Sequence, residues 1–160
     1  MNSLKKLEIE HFCLENVAAM VEFLRVKYQI PDFDVRVKMD FSSRRNRSWG
    51  GRRNGKNFIS LCLKNYLTMS EIGTKMNFVE YASFNDDIII GGIYYTHWKK
   101  ALSALIAHEL AHAAQFSDVG GTIAAGNNYD SKDSRGHGIV WKKIYMGLRL
   151  NFVNFVEEFE

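Results

Sequence analysis

"ALIAHELAHAAQF", residues 104–116, contains the most informative pattern in this sequence, because apolar residues recur at helical spacing on both sides of two histidines. In an α-helix, residues four apart are separated by about 40° of rotation and about 6 Å of rise. His108 and His112 therefore project from one face, close enough for both imidazoles to bind one metal ion. The stretch predicts a buried helix that carries part of a metal site.

Glu109 directly follows the first of these histidines and lies too far around the helix to bind the same ion. It can still reach a metal-bound water, which is the general-base role that the H-E-x-x-H pattern assigns to this residue. Coincidence is the alternative, and ordinary residue frequencies give a chance match below about one percent in a chain of this length. We therefore expect Glu109 to be the base of a metal-dependent hydrolysis.

A catalytic zinc site normally takes three protein ligands and leaves a fourth position for water. His137, in the second motif "SRGHGIVW" at 134–141, lies between two glycines before a predicted helix, where the backbone can bend close to a metal. Asp118 is the alternative ligand, but the turn position that precedes it is Gln115, which has no special tolerance for positive φ. His137 is the better candidate. The expected ligand set is His108, His112 and His137.

Composition and size place the sequence among soluble globular domains, because 46% of its 160 residues are apolar and 24% are charged. The N-terminal segment has no continuous apolar run behind its lysines, which argues against a secretory signal, and no stretch approaches the roughly 20 apolar residues of a membrane span. Cys13 and Cys62 are far apart in sequence, which favours reduced thiols over a disulfide. We expect a cytoplasmic monomer without membrane contact, associated with the nucleoid if DNA is its partner.

A basic segment stands out between residues 44 and 64, where seven basic residues occur and no acidic ones. Subtracting these seven charges from the net charge of +3 leaves the rest of the chain at −4. Such an asymmetry favours contact with a polyanion such as DNA, although a solvated arginine-rich loop is the alternative. The candidate DNA contacts are Arg44, Arg45, Arg47, Trp49, Arg52, Arg53 and Lys56.

Hydrophobic periodicity and turn residues predict one α+β domain over residues 1–160. Two of the expected strands form a hairpin around a long basic loop at about 42–57, and another long loop covers about 117–136. The expected elements are a helix over 4–28, strands over 33–41, 58–67 and 78–84, and helices over 94–116 and from 139 onward.

The two histidine motifs, 104–116 and "RGHGIVWKKI" at 135–144, resemble the SprT-like, Spartan-type metalloproteases, whose pattern is H-E-x-x-H, a loop, and then H-G before a helix. "SWGGRRNGKNFISLCLKNYL" at 48–67 is similar to that family's glycine-basic turn leading into a strand. "DDIIIGGIYYTHWKKALSALIAHELAHA" at 86–113 is similar to its metal-bearing helix. The resemblance covers residues 4–155 loosely, and only the two histidine motifs are specific.

The resemblance implies a zincin-like fold with an N-terminal helix, a three-stranded sheet and two metal-bearing helices. It also implies that the three histidines bind Zn²⁺ and that the protein is an endopeptidase acting on DNA-associated or DNA-crosslinked proteins. The strand over 78–84 would pair with an extended peptide, and Tyr129 and Arg135 are candidates for stabilising the oxyanion. Two alternatives remain open at this point. They are a nucleic-acid-binding adaptor with a structural zinc site, and a peptidase of a regulatory protein.

Overall fold

The computed structural model describes residues 3–30, 32–42, 47–81, 90–117 and 137–156, and it shows a mixed α+β architecture. The helices are α1 (Ser3–Lys27), α2 (Lys64–Ile72), α3 (Trp98–Ser117) and α4 (Ile139–Asn151), and a 3₁₀ turn (Val153–Phe155) follows α4. The strands are β1 (Val35–Asp40), β2 (Trp49–Arg53), β3 (Lys56–Cys62), β4 (Met76–Asn77) and β5 (Tyr95–Thr96).

Helix α1 confirms the expected N-terminal helix, and its buried face follows from the spacing of its apolar residues. Ile9, Cys13, Met20 and Leu24 recur at steps of four and seven and are fully buried. This face packs against α3, where the Ser103 hydroxyl donates a hydrogen bond to the side-chain oxygen of Asn16. Helix α1 therefore forms one wall of the core.

The main sheet has three strands in the order β1-β3-β2, and its pairing differs from the expected one. Strand β1 runs parallel to β3, so the predicted hairpin between 33–41 and 58–67 is wrong. The hairpin joins β2 to β3 through Asn54 and Gly55, whose φ angles of 53° and 74° are those of a tight two-residue turn. The expected basic loop therefore contains strand β2. The sequence did not predict this strand, because its glycines and arginines show no apolar alternation.

The expected third strand over 78–84 is also wrong within the residues that the structure describes. A short strand, Met76–Asn77, lies just before this range and pairs with Tyr95–Thr96 in a separate two-stranded sheet. The chain from Phe78 to Tyr81 has no regular structure. The second half of 58–67 becomes helix α2, which ends at Gly73 with a φ of 75°.

Helix α3 lies at the centre of the molecule, in contact with α1, β2, β3 and α4. Leu102, Ile106 and Leu110 are fully buried, as the helical spacing predicted. The helix begins at Trp98 because the preceding residues belong to β5, and His97 caps it by accepting a hydrogen bond from Lys99 N at 3.3 Å. His97 therefore supports the start of α3.

Helix α4 covers the other side of α3 and completes the core. Trp141, Ile144, Tyr145 and Leu148 are essentially fully buried, whereas Ile139, which was expected inside, is 49% exposed. None of the described helices has both the length and the apolar character needed to cross a membrane.

Candidate metal centre

The three histidines predicted as ligands lie together in the structure. The Nε2 atom of His137 is 3.1 Å from Nε2 of His112 and 3.1 Å from Nε2 of His108. Zn–N bonds of about 2.0–2.1 Å in a tetrahedral site separate ligand nitrogens by about 3.3 Å. The three imidazoles thus have the spacing of one metal site, and within the described residues they form the one such group of three.

Two elements bring these side chains together. His108 and His112 project from α3 one turn apart, and His137 lies just before α4, whose N-cap is the extended residue Gly138. Trp141, one turn into α4, donates a hydrogen bond from Nε1 to the backbone oxygen of His108 at 3.1 Å. This bond fixes the start of α4 against α3, so the position of His137 follows from helix packing.

Burial keeps the histidines in the form that binds metal. Desolvation lowers the pKa of His108 to about 3, and the neighbouring His112 and His137 lower it further. Burial, with His137 beside it, lowers the pKa of His112 to about 4, and burial also lowers that of His137. All three imidazoles are therefore neutral at pH 7, with lone pairs for a cation.

Gln115, which sequence analysis considered only as a turn residue, lies beside one of the ligands. Its side-chain amide is 2.9 Å from Nδ1 of His112, and Gln115 is 4% exposed. For His112 to bind a metal through Nε2, its Nδ1 must carry the proton and donate it to the amide oxygen of Gln115, so the amide would present its oxygen to the ring. The buried position of Gln115 on the helix, three residues after His112, was the signal that could have identified it. Asp118, the rejected ligand, lies outside the described residues.

An aromatic wall surrounds the imidazoles. Tyr81 stacks on His137 with ring centroids 4.2 Å apart, and Trp141 contacts the rings of all three histidines. Tyr145 stacks in turn on Trp141, with centroids 4.9 Å apart and planes 7° from parallel. The sequence did not indicate Tyr81, because this residue lies in the expected strand over 78–84. Trp141 was identifiable, since it follows His137 by one helical turn.

A buried ion pair holds the segment before Tyr81 against α4. Arg149 donates from Nε to the Glu80 carboxylate at 2.7 Å, and Tyr145 donates from its hydroxyl to the same carboxylate. The side chains of Glu80 and Arg149 are 1% and 8% exposed. Burial raises the pKa of Glu80, whereas Tyr145 and Arg149 oppose that rise. Nothing in the sequence spacing of these residues signalled their contact.

Glu109 is buried, and its backbone lies against strand β2 at Gly50. Its exposure is 4%, and desolvation raises the pKa of its carboxyl to about 8 against the opposing charge of Arg47. A Cβ atom at Gly50 would lie 2.1 Å from the backbone oxygen of Glu109. Strand β2 can therefore approach the metal helix this closely only because residue 50 is glycine.

The candidate DNA contacts do not all lie on one surface. Arg47 is within electrostatic range of Glu109, and Arg44 and Arg45 lie outside the described residues. Trp49 and Arg53 lie on the same side of β2, with the Arg53 guanidinium 5.0 Å from the Trp49 ring centroid. The remaining two candidates are Arg52, which alternates to the other side of the strand, and Lys56, which is paired with Arg53 across the hairpin. Tyr129 and Arg135, the candidates for oxyanion stabilisation, are also outside the described residues.

Three neutral imidazoles suit zinc and several other divalent transition metals, so the ligands establish a metal-binding geometry without choosing the ion. A carboxyl with a pKa near 8, one residue from a ligand, can accept or donate a proton close to neutral pH. Comparison of the chain with protein-family models, with curated proteins and with solved structures finds no match.

Proposed function

We propose that this protein is a zinc-dependent endopeptidase of the SprT-like type, with a zincin-like fold, and that it acts on DNA-associated proteins, including DNA-crosslinked ones. The convergence of His108, His112 and His137 beside the buried Glu109 is the observation that carries the proposal. Hydrolytic zinc sites pair three protein ligands with a nearby acid–base group.

The number of candidate ligands matches that of a catalytic zinc site. Structural zinc sites are closed by four protein ligands, whereas catalytic sites keep one position open. In the described part of the chain, three histidines form the cluster and no fourth candidate joins them. A zinc ion held there supplies Lewis acidity, which polarises a peptide carbonyl and activates water near neutral pH.

Glu109 is the proposed general base. Its carboxylate accepts a proton from the attacking water and delivers it to the leaving amide nitrogen. Burial raises the pKa of Glu109 to about 8. The two positive charges of a zinc ion held by the histidines would lower this pKa toward the working pH. The charge of the nearby Arg47 also lowers the pKa of Glu109.

The substrate peptide is proposed to lie along β2 rather than along residues 78–84. Strand β2 is at the edge of the three-stranded sheet and, among the described strands, pairs with β3 alone. An extended peptide can pair with such an edge through main-chain hydrogen bonds. The contact of Gly50 with the Glu109 backbone brings this edge close to the proposed base.

The decisive experiment compares the zinc-loaded protein with its Glu109→Gln variant on free and DNA-crosslinked protein substrates. We expect the variant to retain zinc and to lose cleavage by about 10²- to 10⁴-fold, since that is the usual contribution of a general base. Glu15→Gln, which makes the same change at an exposed position of α1, is the matched control and should cleave normally.

The other readings of the site predict different results. Equal cleavage by the parent and the Glu109→Gln protein would exclude Glu109 as the base. A nucleic-acid-binding adaptor would cut no substrate under any condition and would unfold when zinc is removed. A peptidase of a regulatory protein would cleave without any response to DNA, which a substrate profile would identify.

A further inference from the structure

The three-stranded sheet has an outer face, on the side opposite Gly50 and α3, that collects cationic and aromatic side chains from all three strands. Residues paired across neighbouring strands project to the same face, and alternate residues along a strand project to opposite faces. The strand register places the cationic and aromatic residues Arg36, Lys38, Trp49, Arg53, Lys56 and Phe58 on this basic-aromatic face, together with Ser60, and it places Asp40 at the end of β1 on the same side.

Two rings form the centre of the basic-aromatic face. Trp49 and Phe58 are both half-buried and lie edge to face, with centroids 4.6 Å apart. The guanidinium of Arg53 lies over both, 5.0 Å from the Trp49 centroid and 5.5 Å from the Phe58 centroid. A planar cation above two rings is an arrangement on which a nucleobase can stack.

The cations surround these rings without acidic neighbours in the groove. A groove of about 350 Å³ runs across the face, and its lining includes Arg36, Lys38 and Arg53 but no acidic residue. Asp32 and Asp34 line an adjoining depression at the start of β1, which Arg36 and Lys56 also line. The groove is therefore a positively charged channel with an aromatic floor.

We infer that the basic-aromatic face binds single-stranded DNA, with phosphates at Arg36, Lys38 and Lys56 and a base against Trp49, Phe58 and Arg53. Proteins that bind single strands combine a cationic groove with aromatic side chains in this way. A duplex keeps its bases stacked, so the rings would gain no contact with them. An acidic peptide would satisfy the cations but would leave the aromatic floor without a function.

The inference rests on the proposed function only in naming DNA rather than RNA. A protein distinguishes RNA through hydrogen bonds to its 2′-hydroxyl groups, and the one hydroxyl side chain lining the groove, Ser60, is 3% exposed. Binding itself requires neither the metal nor Glu109. It would place DNA on the same strand, β2, whose edge is proposed to hold the peptide.

Binding can be measured on the full-length Glu109→Gln protein, so that a failure of catalysis leaves the result intact. Tryptophan fluorescence reports on the site, because Trp98 and Trp141 are 3% and 0% exposed whereas Trp49 is half-buried. We expect oligo-dT to quench this fluorescence and the Trp49→Phe variant to lose the quenching. An oligo-dT that binds without quenching would overturn the inference.

An abasic strand of equal length separates stacking from charge, since it keeps the phosphates and lacks the bases. We expect it, and a duplex of the same length, to bind at least tenfold more weakly than oligo-dT, because stacking of one base contributes about that factor. Equal binding of the abasic strand, tighter binding of the duplex or of oligo-U, or equally effective competition by polyglutamate would each overturn the inference.

Two arginines of β2 provide a matched pair of variants. Arg53→Ala removes a cation from the basic-aromatic face, whereas Arg52→Ala removes the same charge from the opposite side of the same strand. We expect Arg53→Ala to weaken oligo-dT binding by about tenfold and Arg52→Ala to retain most of it. Lys38 is exposed on the same face, and Lys38→Ala should remove one phosphate contact. The slope of log K against log salt should then fall in magnitude by about 0.7. Equal losses in the two arginine variants would contradict the assignment.

Discussion

At position 50 the contact between strand β2 and helix α3 leaves no room for a side chain. A Cβ atom there would lie 2.1 Å from the Glu109 oxygen and 2.8 Å from its carbonyl carbon, and both are backbone atoms that cannot rotate away. Gly147, on α4, differs, because a Cβ atom there would meet the side-chain hydroxyl of Tyr28 at 3.2 Å, a contact that a shift of a few tenths of an ångström would relieve.

Gly50→Ala should therefore push β2 away from α3. We expect the free energy of unfolding to fall by about 3 kcal/mol, at the upper end of overpacking costs, together with loss of peptidase activity. Denaturant titration of the zinc-loaded protein measures this change. Gly147→Ala is the control, and it should change stability by less than about 1 kcal/mol, since alanine favours the helix. Similar losses in both variants would refute the role of the close contact.

Gln115 acts on the metal site through His112. Gln115→Ala removes the amide 2.9 Å from His112 Nδ1, so the ring should lose its orientation and zinc affinity should fall by about 10- to 100-fold. Gln115→Glu keeps an acceptor at this position and should retain the affinity. Competition with a chelating dye measures both variants. Equal affinities for the alanine and glutamate variants would show that Gln115 only fills space.

At the scale of elements, helix α4 positions His137, the third candidate ligand just before it, and owes its own position to buried polar contacts as well as apolar packing. Trp141 bonds the backbone of His108, and Arg149, two turns further along, pairs with Glu80. The Glu80 contact also fixes the residue next to Tyr81, whose ring stacks on His137. One ion pair thus supports two sides of the metal centre.

Arg149→Ala should leave the Glu80 carboxylate buried without its cation, which typically costs about 3–5 kcal/mol of stability. Thermal and denaturant unfolding measure this loss. The double variant Glu80→Leu/Arg149→Met replaces the pair with apolar side chains and should recover much of it. If the single variant is as stable as the parent, the ion pair does not hold α4.

The elements that sequence analysis predicted well are the three long helices. Their apolar residues recur over several turns, and this local pattern survives any tertiary arrangement. Strand β2 was missed because "WGGRR" offers no apolar alternation, and its formation depends on pairing with β3 and on the contact at Gly50. The expected strand over 78–84 has apolar alternation. Its first half is instead irregular, because Glu80 pairs with Arg149 and Tyr81 stacks on His137.

At the scale of the whole molecule, the buried histidines and carboxyls make stability depend on pH. The pKa values of His108 and His112 fall from 6.5 to about 3 and about 4 on folding, so the unfolded chain binds more protons below pH 6.5. The pKa of Glu109 rises from 4.5 to about 8, so the folded chain binds more protons between those values. Glu80 acts in the same direction as Glu109.

The metal-free protein should therefore be most stable near pH 6.5. Toward pH 4 the uptake of protons by three unfolded imidazoles outweighs the carboxyls, and toward pH 8 stability falls because the folded chain retains the Glu109 proton that the unfolded chain has released. Thermal unfolding in chelator at pH 4.5, 6.5 and 8 should show a maximum at the middle value. Glu109→Gln should flatten the alkaline side and steepen the rise between pH 4.5 and 6.5, because Glu109 opposes the histidines there. A parent whose unfolding temperature rises steadily to pH 8 would contradict these shifts.

The sequence by itself determined the core of the metal site. Helical geometry is local, so the spacing of His108, Glu109 and His112 was sufficient to place two ligands on one face of a buried helix and the glutamate beside them. The glycines around His137 indicated the third ligand, which the structure places with the other two.

Only the tertiary structure decided which strands pair, where β2 lies, and which residues surround the ligands. These features depend on contacts between residues far apart in sequence, such as Glu80 with Arg149, Tyr81 with His137, and Gly50 with Glu109. A helix repeats its own hydrogen bonds along the chain, whereas a sheet and a buried ion pair acquire partners only when distant segments meet.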